Sequence, residues 1–170
     1  MTQQEKKQFK EGLFGYLPFG LKGVATVTIA DPHHVDMDGF YKEVDFDADV
    51  ELLSIDTDTD DIQIEPLTDD QELYDFVCEE PFTLNEFIPY LRSLSSMTDE
   101  EQNELNVLVF GDEEGDGRYC YKDYLYVGDG TYEISYSKIS VIVNWLNEHH
   151  FEYRRWIEKG WAKEIKNKNR

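Results

Sequence analysis

The carboxylates of Asp45, Asp47, Asp49 and Glu51 fall at every second position, between Val44, Phe46, Ala48, Val50 and Leu52. Period two sends alternate side chains to opposite faces of a strand. One face of this strand is therefore apolar, and the other carries carboxylates about 6.7 Å apart, twice the strand rise. A fixed row of negative charge attracts cations and basic protein surfaces and repels DNA, RNA and anionic membranes. Duplex DNA presents a charge about every 3.4 Å along each strand, so one row is sparser than phosphate, and two adjacent acidic elements approach that density. Asp58, Asp60 and Asp61 continue the acids into the following turn. Asp69, Asp70, Asp99 and Glu100 stand at expected helix starts. The chemistry implied is salt-sensitive capture of a basic partner protein, including the cleft of a nucleic-acid-acting enzyme by imitation of DNA.

Other chemistries find less support. Asp56-Thr-Asp58-Thr-Asp60-Asp61 opens like a calcium loop, but Asp61 stands where such a loop needs glycine and Leu67 where it needs glutamate. Asp112 to Asp116 reads as a solvated acidic loop. The histidines occur as the pairs His33-His34 and His149-His150, and HExxH spacing is absent. There is no G-x-S-x-G elbow, and Cys78 and Cys120 form no CxxC. Gly115-Asp-Gly117 and Gly128-Asp-Gly130 are flanked by acids, which repel phosphate. Tyr119, Tyr121, Tyr124 and Tyr126 beside Arg118 and Lys122 suit cross-strand packing better than base stacking. The expectation is therefore a non-enzymatic protein with no catalytic residues, no metal ligands and no cofactor.

The composition agrees with a folded, strongly acidic chain. Of 170 residues, 37 are acidic and 16 basic, for a net charge of -21. The charge is segregated: residues 31–116 carry a net -26, with Lys42 and Arg92 as their only bases, and both ends are mildly basic. Aromatic residues make up 14%, too many for a disordered acidic tail. No apolar run reaches the ~18 residues of a membrane span, and the first residues lack the apolar core of a signal peptide. A cytoplasmic location and no membrane partner are expected, with one domain over residues 1–162 and a flexible basic tail over 163–170.

These patterns predict an α+β fold, with an antiparallel sheet of hairpins packed against several short helices and a C-terminal amphipathic helix. Residues 2–14 read as a helix with Phe9, Leu13 and Phe14 on one side, and residues 24–30 as a strand followed by a loop at 31–34. Residues 44–66 read as a hairpin, with a bulge at Leu52-Leu53. Three Thr-x-x-Glu/Gln capping boxes predict helix starts at Thr68, Thr83 and Thr98. The end of the third is open, since residues 107–110 suit a strand equally. A second hairpin is expected over 119–136. Ser137 is expected to cap a helix with Ile139, Ile142, Val143, Trp145 and Leu146 on one stripe, and residues 153–161 read as a further short helix.

Three segments carry a resemblance. Leu17-Pro-Phe-Gly-Leu-Lys22, Tyr90-Leu-Arg-Ser-Leu-Ser-Ser-Met97-Thr-Asp-Glu-Glu101 and Trp145-Leu-Asn-Glu-His-His-Phe-Glu-Tyr153, with Ile157-Glu-Lys-Gly160 behind it, are similar in type and order to segments of short proteins from phage-like and other mobile elements of gut anaerobic bacteria. Ser93 stands where that pattern has proline, and Arg155 and Trp156 where it has smaller or aliphatic residues. The resemblance implies a mobile-element origin and brings no catalytic residues with it. A structural or accessory protein of such an element, associating through Trp156 and Trp161, is the second reading. A cation-binding module or an enzyme is the third.

Overall fold

Thr2 opens the chain with a reciprocal cap: its hydroxyl accepts the Glu5 N–H at 3.3 Å, and the Glu5 carboxylate accepts the Thr2 N–H at 2.8 Å. Helix α1 follows over Gln3–Leu13 and buries Phe9 and Leu13. Phe14, expected on the same buried side, lies at the helix end and is 37% exposed. The computed structural model describes residues 1–35, 39, 41–71, 74, 75, 77, 81–110 and 136–165. The expected hairpin over 119–136, both cysteines and the loop at 112–116 lie outside them, apart from Tyr136.

The strands are β1 (Lys22–Val35), β2 (Tyr41–Ile55), β3 (Asp61–Pro66), β4 (Phe82–Thr83), β5 (Phe87–Ser93), β6 (Phe151–Glu152) and β7 (Lys163–Glu164). Their order is β4-β3-β2-β1-β5, with β6 and β7 pairing parallel to β5 and every other pair antiparallel. Helices α2 (Asp99–Phe110) and α3 (Tyr136–Glu148) complete an α+β fold. The chain divides into two compact units, Met1–Pro89 and Tyr90–Arg170.

In the first unit, β2 and β3 form the expected hairpin, and their register shifts between Leu52 and Ser54, where the bulge was expected. Ala48, Val50, Leu52 and Ile55 of β2 are buried, as are Ile62 and Ile64 of β3. β1 is longer than expected: residues 31–35, read as mostly loop, continue the strand, with Asp31 and Val35 pairing with β2 across a register shift. The Thr83 signature does not start a helix. Its Glu86 carboxylate accepts the Thr83 N–H at 2.7 Å, but the Glu86 N–H returns to the Thr83 carbonyl and closes a turn between β4 and β5. Phe82 and Phe87, buried on either side of that turn, are held by strand pairing.

The second unit contains α2, whose residues 107–110 are helical, and α3, which already includes Ser137. Ile142, Trp145 and Leu146 pack with Leu94, Met97, Leu105, Val109 and Phe151, whereas Ile139 is 45% exposed. Residues 153–161 form turns rather than a helix, with Arg155 and Gly160 at φ +63° and +70°. The Trp156 carbonyl accepts from both Trp161 and Ala162 at 2.8 and 3.3 Å. Lys163 and Glu164, the head of the expected basic tail, form β7 beside Tyr90 and Leu91.

Gly23 sits between β2 and β5, opposite Val50 and Pro89. A Cβ there would lie 2.5 Å from Phe87 Cε2 and 2.6 Å from the Ile88 carbonyl oxygen. Gly23→Ala is expected to cost about 1–3 kcal/mol of unfolding free energy, the range for overpacking. Urea titration reads this as a lower midpoint at unchanged slope. An unchanged midpoint would show that the Phe87 ring moves aside freely.

Candidate acidic interface

The β1–β2 register decides where the acids go. Thr28 pairs with Asp45, Thr26 with Asp47, Val24 with Asp49 and Lys22 with Glu51. Paired residues share a face, so the four carboxylates form the expected row, with Glu43 extending it at one end. Asp45, Asp47 and Asp49 are exposed, and Glu51 is partly exposed. The Thr28 and Thr26 hydroxyls donate to Asp45 Oδ1 and Asp47 Oδ1 at 2.7 and 3.2 Å, which fixes the two side chains on the sheet.

β3 adds a second, shorter row. Glu65 lies opposite Glu51, and the alternation of β3 puts Asp61, Gln63 and Glu65 on the exposed face while Ile62, Ile64 and Pro66 turn inward. Glu65 also accepts from the Tyr74 hydroxyl at 3.4 Å. Glu43 and Glu65 escape the sequence reading, because only strand pairing brings Glu65 beside Glu51. Among these strand positions, Lys22 is the basic side chain.

The remaining acids have other settings. Asp58 and Asp60 are exposed in the β2–β3 turn. Asp56 organises that turn by accepting the N–H groups of Asp58 and Thr59 at 2.7 and 2.8 Å. These bonds, Thr59 first, hold its carboxyl below the usual range, and the Lys10 ammonium adds to the effect. Lys10 reaches from α1 to the carbonyls of Thr57, at 3.3 Å, and Thr59. The loop that resembles a calcium site in sequence is thus bonded to its own backbone and to a lysine. Among the described residues, no group of three or more His, Cys, Asp or Glu side chains is placed to hold a metal.

Asp69 is exposed, and Asp70 donates its N–H to the Thr68 hydroxyl at 3.1 Å. The Thr68 cap thus engages Asp70, and the Gln71 amide donates to Asp75 at 2.6 Å. Asp99 and Glu100 belong to the second compact unit, in the first turn of α2, where negative charge complements the helix dipole. Trp156 is 2% exposed, so the expected apolar surface of Trp156 and Trp161 is not formed. Trp161 is partly exposed beneath the Lys159 ammonium, 4.3 Å from the ring centroid. His149 stacks on Trp145 at 4.0 Å and bonds its carbonyl through Nδ1 at 2.9 Å, a packing role. No helix among the described residues is long and apolar enough to cross a membrane.

Not every acid is part of a surface. Glu101 caps α2 through Thr98, at 2.9 and 3.2 Å, and takes the Arg92 guanidinium in a two-pronged bond at 2.7 and 2.9 Å. Arg92 also lies 4.2 Å over the Phe151 ring, and its N–H donates to the His150 carbonyl. This ties β5 to α2 and β6.

Comparison of the chain with known protein families, curated proteins and solved structures finds no match.

Arg92 holds the Glu101 carboxyl below its ordinary value of 4.5, against a smaller opposing effect of burial. The unfolded state therefore binds the proton more tightly, and the pair's contribution is present above that ordinary value and fades as pH falls through the lowered folded one. Arg92→Met is expected to cost about 2–3 kcal/mol at neutral pH, since it strands a half-buried carboxylate. Urea titrations at several pH values should show this difference shrinking in acid. A pH-independent difference would contradict the pair's role.

Proposed function

We propose that this protein is a non-enzymatic, acidic interaction protein that binds a basic protein surface, and that its partner is a nucleic-acid-acting enzyme whose cleft it fills in place of DNA. The observation that carries the reading is the pair of acid rows on adjacent strands: Glu43, Asp45, Asp47, Asp49 and Glu51 on β2, with Asp61 and Glu65 on β3. Charges stand about 6.7 Å apart along the β2 row, and Glu65, about 4.8 Å away across the strands from Glu51, with Asp61 further along β3, raises the density at that end towards that of nucleic acid.

Rigidity supports the reading as much as charge. Behind Asp47, Asp49 and Glu51 the other face of the ladder is buried at Ala48, Val50 and Leu52, so these carboxylates keep their spacing. A prearranged acidic surface lowers the ordering cost of association and speeds encounter with a basic partner. The similarity of three segments to mobile-element proteins gives a setting in which inhibition of a host defence nuclease is useful.

Asp45→Asn, Asp47→Asn, Asp49→Asn and Glu51→Gln together should leave stability within about 0.5 kcal/mol or raise it, as exposed like charges are removed. The test partners are bacterial DNA-binding proteins eluted from immobilised duplex DNA. The wild-type chain should retain at least one of them and release it to added duplex DNA. The variant should bind it at least about tenfold more weakly, with a shallower salt dependence. Equal retention by the variant, or retention that duplex DNA does not disturb, would contradict the proposal.

A further inference from the structure

Backbone oxygens, and not side chains, hold positive charge at the β2–β3 turn. The Lys10 ammonium, carried by the last turn of α1, bonds to the Thr57 carbonyl at 3.3 Å and to the Thr59 carbonyl. Thr57 lies 47 residues from Lys10 in sequence, so the seating of α1 through buried Phe9 and Leu13 brings this cation to the turn. An ammonium is a compact charge with three donors, and carbonyls that converge on it resemble the oxygen ligands that a hard cation takes. No three carboxylates of the turn are placed to hold a metal, so the observed cation contact is with carbonyls.

The turn has bonds of its own on both sides of those carbonyls. The Asp56 carboxylate accepts the N–H groups of Asp58 and Thr59, and the Asp56 N–H donates to the Asp61 carbonyl at 2.9 Å. The Thr59 hydroxyl donates to the Asp61 carboxylate at 2.9 Å, and the Leu84 N–H donates to the Asp60 carbonyl at 2.9 Å. None of these bonds uses Lys10. The turn therefore keeps its shape, and its two carbonyls keep their direction, when the ammonium is taken away.

We infer that Lys10 is the built-in cation of the β2–β3 turn: its ammonium occupies a carbonyl nest that takes calcium once that charge is removed, and it keeps the native chain from binding the ion there. A divalent ion on the same oxygens would stand within a few ångströms of the ammonium, so the two exclude each other. Asp56, Asp58, Asp60 and Asp61 supply negative charge around the nest for either occupant. The contact of α1 with the turn is thus autoinhibitory, and the calcium-like spacing of the acids is answered from within the chain.

The test titrates calcium chloride, at constant ionic strength, into the isotope-labelled full chain and follows the amides of residues 57–61. Two neutral variants, Lys10→Met and Lys10→Gln, are compared with the wild type and with Lys10→Arg, which keeps the charge. Both neutral variants should show saturable shifts there, with a Kd of roughly 10⁻⁴–10⁻³ M, the range of weak calcium sites. The wild type and Lys10→Arg should bind at least about tenfold more weakly. Calcium should also raise the urea midpoint of the neutral variants and leave that of the wild type unchanged. Equal calcium affinity in the wild type and the neutral variants would overturn the inference, by showing that the ammonium does not occupy the site. Absence of saturable shifts in both neutral variants would overturn it too, by showing that the carbonyls form no cation site.

Discussion

The unbroken antiparallel register of β1 on β2, from Lys22 opposite Glu51 to Asp31 opposite Lys42, is the constraint on which the acidic face depends. Because side chains alternate with period two, a slip of one residue would turn Asp45, Asp47 and Asp49 into the core and Ala48, Val50 and Leu52 into water. The magnitudes show which force sets the register. Fully burying a Val, Leu or Ile side chain is worth about 1.5–3 kcal/mol, and Val50, Leu52, Ile62 and Ile64 are all buried. Like charges facing each other across strands, as Glu51 and Glu65 do, cost roughly 0.2–1 kcal/mol per pair. The apolar face therefore dominates, and the repulsive row is carried by it. Hydrogen bonds from Thr26 and Thr28 then orient the two central carboxylates without neutralising them.

The second unit uses its acids differently. Glu101 is satisfied by Thr98 and Arg92, and Glu104 accepts the Trp145 indole N–H at 3.2 Å. Trp145 is layered between His149 and Phe151, with ring centroids at 4.0 and 5.8 Å, and Arg92 covers Phe151. Here carboxylates close hydrogen-bond networks around an aromatic core. The contrast separates two uses of one residue type: set out in a row along β2, and closed into a network around α2. Net charge alone does not distinguish them.

What was legible in the sequence follows from the range of the interactions involved. The β2 row, the β2–β3 hairpin and its bulge depend on spacing within a few residues, and all three are found where period two places them. The Thr98 cap is also local, and it forms as expected. The Thr83 signature is equally local, yet Glu86 makes one of the same bonds inside a turn. Pairing of Phe82 with Ile62 and of Phe87 with Ala25 decides the outcome there, and neither partner is near in sequence. Residues 31–35 become strand for a similar reason, since Asp31 and Val35 pair with Lys42 and Tyr41 of β2 across a register shift at Pro32 and the histidine pair. Glu65 joined the acid face only through its pairing with Glu51. Trp156, marked as a contact residue by its size, is buried because its carbonyl anchors the turn that folds around it.

The most direct test of the acidic face as a contact surface is a residue-resolved NMR titration of the isotope-labelled chain with a short oligolysine at low salt. Amide shifts should concentrate on Thr26, Thr28, Asp45, Asp47 and Asp49, and should reverse as salt is added. Shifts of equal size at Asp99 and Glu100, or spread over every exposed carboxylate, would show that the row has no advantage over dispersed charge and would contradict the account.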